Sequence, residues 1–228
     1  MKLYVGNKNY SSWSMRSWVL LRHFGIAFEE VFLRFDGFGP DSAFKRVIGA
    51  LSPAGRVPVL LIDDLAVWDT LAIAETIAER FAQHPVWPRD PAARARARSL
   101  CAEMHAGFGA LRSACPMNIE LQMPAIGPRA VATQPDVRAD LERLIAMWTD
   151  ALRCSGGPFL FGAFGNADAY FAPVVARIRT YALPVPPQIA AYGERVWADA
   201  AVAQWVADAL AERDFVAEDE PYRSSRDG

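Results

Sequence analysis

Three short stretches hold side chains that could do chemistry. The first is Asn9-Tyr10-Ser11-Ser12-Trp13-Ser14-Met15-Arg16. It sets three hydroxyls where a helix begins, among amides that have no intrahelical acceptor, so it makes an electropositive pocket. A hydroxyl there donates a hydrogen bond to an anion, and a thiolate bound beside it is favoured over its thiol. The plain alternative is that these serines cap the helix. The second stretch is Arg56-Val57-Pro58-Val59, where proline opens a strand, a position that tolerates its missing N–H. A cis Val57-Pro58 bond would turn the Val57 backbone toward an extended peptide, although trans is the commoner isomer. The third is Trp68-Asp69-Thr70, a carboxylate for an ammonium beside a hydroxyl and amides for a carboxylate, which together suit an amino acid's zwitterion. Asp and Thr are also favoured caps.

Other reactive residues read as structural. His23, His84 and His105 have no H-x-x-x-H spacing, and Cys101, Cys115 and Cys154 form no C-x-x-C pair, so no metal site and no disulfide framework is expected. His23 falls near the end of a helix, where a cation meets the negative terminus. Arg16 and Arg112 could steer an anionic substrate, but a solvated or ion-paired arginine is the ordinary reading. Met104, Phe108 and Leu111 share a helical stripe that reads as core. With Met117 and Met123 they also offer flexible apolar surface for a second substrate.

The elements that must position these residues alternate over the first eighty positions. Lys2–Val5 reads as a strand, Met15–Phe24 as a helix, and Ala27–Leu33 as a second strand. Ser42–Ala50 has weak helical character, Val57–Ile62 is a buried-strand run, and Asp63-Asp64 turns it into Leu65–Trp68. Ile73, Ala74, Ile77, Ala78 and Phe81 then mark one face of a helix. Pro85, Pro88 and Pro91 make 83–91 a linker. Helical patterns follow over Ala92–Leu111, Val137–Leu152, Asp168–Thr180 and Ile189–Leu210, and the charged tail after Arg213 reads as loose. The expected partition is 1–82, a linker 83–91, a helical domain 92–213 and a tail 214–228. An α/β unit followed by an all-helical one fits this order.

With 228 residues, 52% of them hydrophobic and a net charge of −2, the chain buries a sizeable core. Near-neutral charge offers no general attraction for nucleic acid or anionic membrane, and no apolar run approaches the roughly 20 residues that span a bilayer. A cytoplasmic protein is expected.

In order and context the three stretches resemble the glutathione transferase superfamily, with Phe161-Gly162-Ala163 leading into Ala167-Asp168 as a further point of likeness. The serine loop is similar to that of zeta-class and related bacterial transferases. The resemblance implies a thioredoxin-like first domain that binds glutathione as co-substrate, a helical second domain that shapes the electrophile pocket, and a homodimer engaged in detoxification. It assigns the thiol-activating role to Ser11, five positions before Arg16, with Ser12 and Ser14 as second choices. Ser12, Trp13, Val57, the family's cis-proline at Pro58, Asp69 and Thr70 would complete the glutathione site. Met104, Phe108, Leu111 and Met117 would line the pocket of a small, apolar electrophile. Asp69 is one methylene shorter than the usual Glu, and Gly165 stands where a Ser or Thr usually caps the helix that Asp168 orients. A glutathione-dependent isomerase of the maleylacetoacetate type is the alternative, although Trp13 replaces a Cys of the zeta pattern. A non-catalytic scaffold is the other.

Overall fold

A computed structural model describes residues 1–226. Four short strands, β1 (Lys2–Val5), β2 (Glu29–Phe32), β3 (Val59–Ile62) and β4 (Leu65–Val67), form one sheet in the order β2-β1-β3-β4. β1 runs parallel to β2 and antiparallel to β3, so Leu3 faces Glu30 on one side and Leu60 on the other. A parallel pair needs a crossover, and α1 (Ser12–His23) supplies it. Asp63, at φ 53°, turns β3 into β4, a left-handed position that Asp tolerates better than most side chains. The small helices α2 (Ala43–Leu51) and α3 (Thr70–Arg80) complete this unit, a thioredoxin-like arrangement.

Residues 91–226 are helical or irregular apart from isolated bridges at 159–163: α4 (Pro91–Ala106), α5 (Gly109–Ala114), α6 (Ile126–Thr133), α7 (Pro135–Ser155), α8 (Asn166–Tyr181), α9 (Pro187–Trp197), α10 (Ala200–Glu212) and a short 3-10 turn, Ala217–Asp219. Helix α1 packs on α3, α8 and α10, and is therefore buried on nearly every side, with Met15, Trp18, Val19 and Leu21 fully enclosed. One continuous core joins the two parts of the chain through it. Among the described residues no helix is long and apolar enough to cross a membrane.

Two expected helices need correction. The stretch 92–111 is two helices, because Gly107 is extended and Phe108 is left-handed at φ 58°. The apolar period runs straight through the break, since Met104, Phe108 and Leu111 all reach the core, so the pattern hides it. The stretch 189–210 likewise divides at Ala198-Asp199. Asp199 caps α10 by accepting from the Ala201 and Val202 amides, and its other oxygen meets His23 Nδ1 at 2.8 Å. The sequence reading also passed over α6, whose Gly127 lies so close to α8 that a Cβ would come within 2.2 Å of the Tyr181 carbonyl oxygen.

The tail is not loose. Glu220 is buried and accepts from Tyr10 Oη at 2.7 Å, Asn118 Nδ2 at 2.8 Å and Arg223 Nη2 at 2.5 Å, while Tyr222 Oη donates to the Ala114 carbonyl at 2.6 Å. Its charges read as solvated in the sequence because, apart from the Glu220–Arg223 pair, the partners named here lie about a hundred or more positions away. Residues 227–228 of the tail lie outside the described residues.

Asp168 ties α8 to its surroundings. It accepts from the Gly165 and Leu160 amides at 3.0 and 3.1 Å and from Tyr192 Oη at 3.0 Å, and burial pushes its carboxyl up to about 6. A folded-state pKa above the unfolded value means that Asp168 favours folding less as pH rises from 4 to 6, where the unfolded chain has already released the proton. The unfolding free energy of the wild type minus that of Asp168→Asn is expected to fall by about 2 kcal/mol across that range. Urea titrations at several pH values check it, and a difference independent of pH would refute it.

Candidate functional site

A cleft of about 830 Å³ opens where the loop after β1 meets the start of β3, the start of α3, the end of α4 and the tail. Ser11, Ser12, Trp13, Val57, Pro58 and Asp69, which are distant in sequence, all line it. The Val57-Pro58 bond is cis.

At the tip of α1 the serines do not behave as caps. Ser11 occupies the N-cap position, but its side chain accepts no helix amide. Its Oγ donates to Ser14 Oγ at 2.7 Å, and Ser14 Oγ also receives the Gly6 amide at 3.1 Å. Ser14 is fully buried and absent from the cleft wall. Ser12 Oγ receives Arg177 Nη2 at 3.4 Å, which polarises the hydroxyl in favour of donating. The orphan amides of α1 thus remain largely uncapped by side chains, the arrangement that favours an anion.

Behind this tip lies an unusual concentration of buried cations. Arg16 is only 2% exposed, and its guanidinium sits 4.2 Å from the Trp13 ring centre and 4.0 Å from that of Tyr170. It makes no ion pair among the described residues, and its Nε and Nη1 have no hydrogen-bond partner. The solvated or ion-paired state expected for Arg16 is therefore replaced by stacking on two aromatic faces. Arg177 is buried as well, held by the Cys115 and Pro173 carbonyls at 2.9 and 3.0 Å. Burial, reinforced by Arg16 and Arg112, lowers its guanidinium to about 9. Arg112, also expected to be solvated or ion-paired, lies against Trp13 at 4.8 Å and forms no ion pair among the described residues.

On the opposite side Asp69 caps α3, accepting from the Thr70 amide, and its Oδ2 lies 3.5 Å from His105 Nε2. Thr70 itself does not reach the cleft. It is buried, and its hydroxyl is engaged with Tyr170 Oη at 2.8 Å. Tyr170 Oη also meets His105 Nδ1 at 3.2 Å. His105 had no carboxylate at a useful spacing in sequence; Asp69 reaches it only through the fold.

An apolar electrophile pocket is expected from Met104, Phe108, Leu111 and Met117. All four are buried in the core and none lines the cleft, because the break at Gly107-Phe108 turns that face inward. The cleft wall consists instead of Phe35, Phe38 and Phe44 on one side, with Trp13, His105 and Arg112 on the other. Lys45, Arg56 and Asp219 complete its charges. Sequence reasoning passed over Lys45, whose Nζ donates to the Gly55 carbonyl at 2.8 Å, although a basic residue on a weak helix beside the Arg56-Val57-Pro58 strand was a usable signal. Asp219 had no such signal, since it depends on the docked tail. Burial pushes its carboxyl up to about 6. Burial also raises the Cys101 and Cys115 thiols, the latter to about 11, so neither is a thiolate near neutrality.

Residues 10–80 match the glutathione S-transferase N-terminal domain family. A probable maleylacetoacetate isomerase of Caenorhabditis elegans is 26% identical over 111 residues, 49% of each chain, so the matching region spans about half the length of that curated relative. Among solved structures, a glutathione transferase homolog from Burkholderia with bound glutathione is 26% identical, with a TM-score of 0.68 over 92% of this chain and 97% of that one. A maleylacetoacetate isomerase from Methylobacterium extorquens AM1, with bound malonate and glutathione, is 25% identical with a TM-score of 0.64 over 90% and 95%. The tau-class glutathione S-transferase of mango, 21% identical with a TM-score of 0.66 over 92% and 96%, shares the fold.

The two unpartnered nitrogens of Arg16 make a stability prediction. A buried, unpaired charge carries a desolvation cost that an apolar side chain of similar length does not. Arg16→Met is expected to raise the unfolding free energy by about 1 kcal/mol. A loss larger than that in urea denaturation would mean that the two aromatic contacts outweigh desolvation.

Proposed function

The chain belongs to the glutathione transferase superfamily, and from that premise we propose that it binds glutathione in this cleft and holds its sulfur as the thiolate for attack on a small electrophile. The observation that carries the reading is the meeting of cleft-lining serine hydroxyls, an uncapped helix tip and buried cations at one end of the cleft. A free thiol with a pKa of about 8.5 is only a few per cent ionised at neutral pH. Lowering that value by two units takes roughly 2.7 kcal/mol of preferential thiolate stabilisation, within reach of one charge-assisted hydrogen bond and a helix N-terminus.

Ser11 is the first assignment for the donor, since it begins the motif and stands at the tip. Rotation about its χ1 bond would exchange Ser14 for sulfur. Ser12 is the rival, with its oxygen already engaged by Arg177 and no acceptor for its proton among the described residues. Neither serine needs to act as a base. The Val57 backbone would pair with the cysteinyl unit, Asp69 would take the γ-glutamyl ammonium, and Lys45 and Arg56 would face the glycyl carboxylate. A glutathione-dependent isomerase, in which the thiolate adds and later leaves, is the second reading, favoured by the two maleylacetoacetate isomerases among the similar proteins. Retention of the serines and of Asp69 in one cleft speaks against a purely non-catalytic scaffold. We further propose a cytoplasmic homodimer acting in detoxification.

Two measurements check the assignment. Wild-type protein is expected to be retained on immobilised glutathione, and Asp69→Ala to bind glutathione about tenfold more weakly, because a charge-assisted contact is lost. Unchanged affinity would remove Asp69 from the site. Ser11→Ala is expected to keep glutathione affinity within several-fold while the bound thiol pKa returns toward about 8.5. A spectroscopic thiolate titration that shifts in Ser12→Ala and not in Ser11→Ala would transfer the role.

A further inference from the structure

One wall of the cleft carries a guanidinium edge that no other group among the described residues uses. Arg112 Nη1 donates to the His105 and Gly107 carbonyls at 3.4 and 3.2 Å, which fastens one edge of the guanidinium to the end of α4. Nε and Nη2 have no partner among the described residues and are not sealed in the interior. These two N–H groups run parallel, the edge of a guanidinium that grips both oxygens of a carboxylate. Contact with Trp13 at 4.8 Å braces the group, and the residue lines the cleft.

Charge around this edge favours an anion. Arg16 and Arg177 lie nearby without an ion pair among the described residues, and Lys45 and Arg56 line the same cleft. Against them stand Asp69, which faces His105, Asp219 on the tail, and Asp140 behind Arg112, where it accepts the Leu111 amide at 2.9 Å. Cations exceed carboxylates; the glycyl carboxylate of glutathione would draw on Lys45 and Arg56 and its thiolate on the tip of α1, which leaves the open edge of Arg112 as the remaining cationic donor of the cleft. Burial lowers the Arg112 guanidinium from its ordinary value, a cost that a bound anion offsets.

We propose that the electrophile is a carboxylate-bearing molecule whose carboxylate docks on the free Nε/Nη2 edge of Arg112. This assignment rests on the glutathione-transferase reading of the cleft, and it replaces an apolar acceptor by an anionic one. The carboxylate would anchor the molecule on the Trp13 side, leaving its electrophilic carbon toward Ser11 and Ser12.

The test is a matched pair of inert probes, 4-nitrobenzoate and 4-nitrobenzamide, titrated calorimetrically into the full-length protein saturated with S-methylglutathione. The acid is expected to bind about tenfold more tightly than the amide, the scale of one bidentate charge-assisted contact. Arg112→Met should bring the two within about twofold by weakening the acid alone, and Arg112→Lys should fall between, because an ammonium cannot grip both oxygens. Equal binding of the two probes to wild type, binding of neither, or a preference for the acid that survives in Arg112→Met overturns the proposal. The wild-type comparison stands even if a variant misfolds. Failure of S-methylglutathione itself to bind would defeat the glutathione reading, and the probe pair on the protein alone would still decide this one.

Discussion

Ser11 begins a helix without capping it, and much of the molecule follows from that. An α-helix leaves its first amides without acceptors, and a buried start normally satisfies them with a side-chain oxygen. Here the Ser11 hydroxyl is diverted to Ser14, and Ser14 is held by the Gly6 amide at the end of β1. The tip is left open toward the cleft while the body of α1 is enclosed by α3, α8 and α10. The enclosure keeps the tip in place, and the open end makes it useful.

Burying Arg16 and Arg177 beside that tip is costly, because each guanidinium loses water without gaining a carboxylate. Aromatic faces for Arg16 and backbone carbonyls for Arg177 offset part of the penalty. Their charges remain without an ion pair among the described residues and add positive potential beside the cleft. The same charges that lower stability therefore favour an ionised sulfur, and near Arg112 they favour a second anion.

The tail joins this arrangement from the far end of the chain. Glu220 holds the Tyr10 hydroxyl and the Asn118 amide, and Asn9 spans to Ile119 and Glu120 through backbone amides at 2.7 and 2.9 Å. The loop that carries the serines is thus clamped by both the α5–α6 connection and the tail. Its geometry depends on contacts made after both parts of the chain have folded.

Local pattern was enough for the sheet-and-helix alternation, the α3 face and the three chemical stretches, because strand and helix periods and proline positions are properties of neighbouring residues. The break at Phe108 escaped that logic, since a left-handed residue leaves the apolar period intact. So did the fates of Thr70, Arg16 and Met104, which are decided by Tyr170, Trp13 and the core packed around α8, partners far away in the chain. Sequence by itself determined which residue types stand together in three stretches whose chemistry suits a zwitterion and an anion. Only the tertiary structure decided which of them share one cleft, which are spent on each other, and which cations are left unpaired, because burial and ion pairing depend on three-dimensional neighbours and not on spacing along the chain.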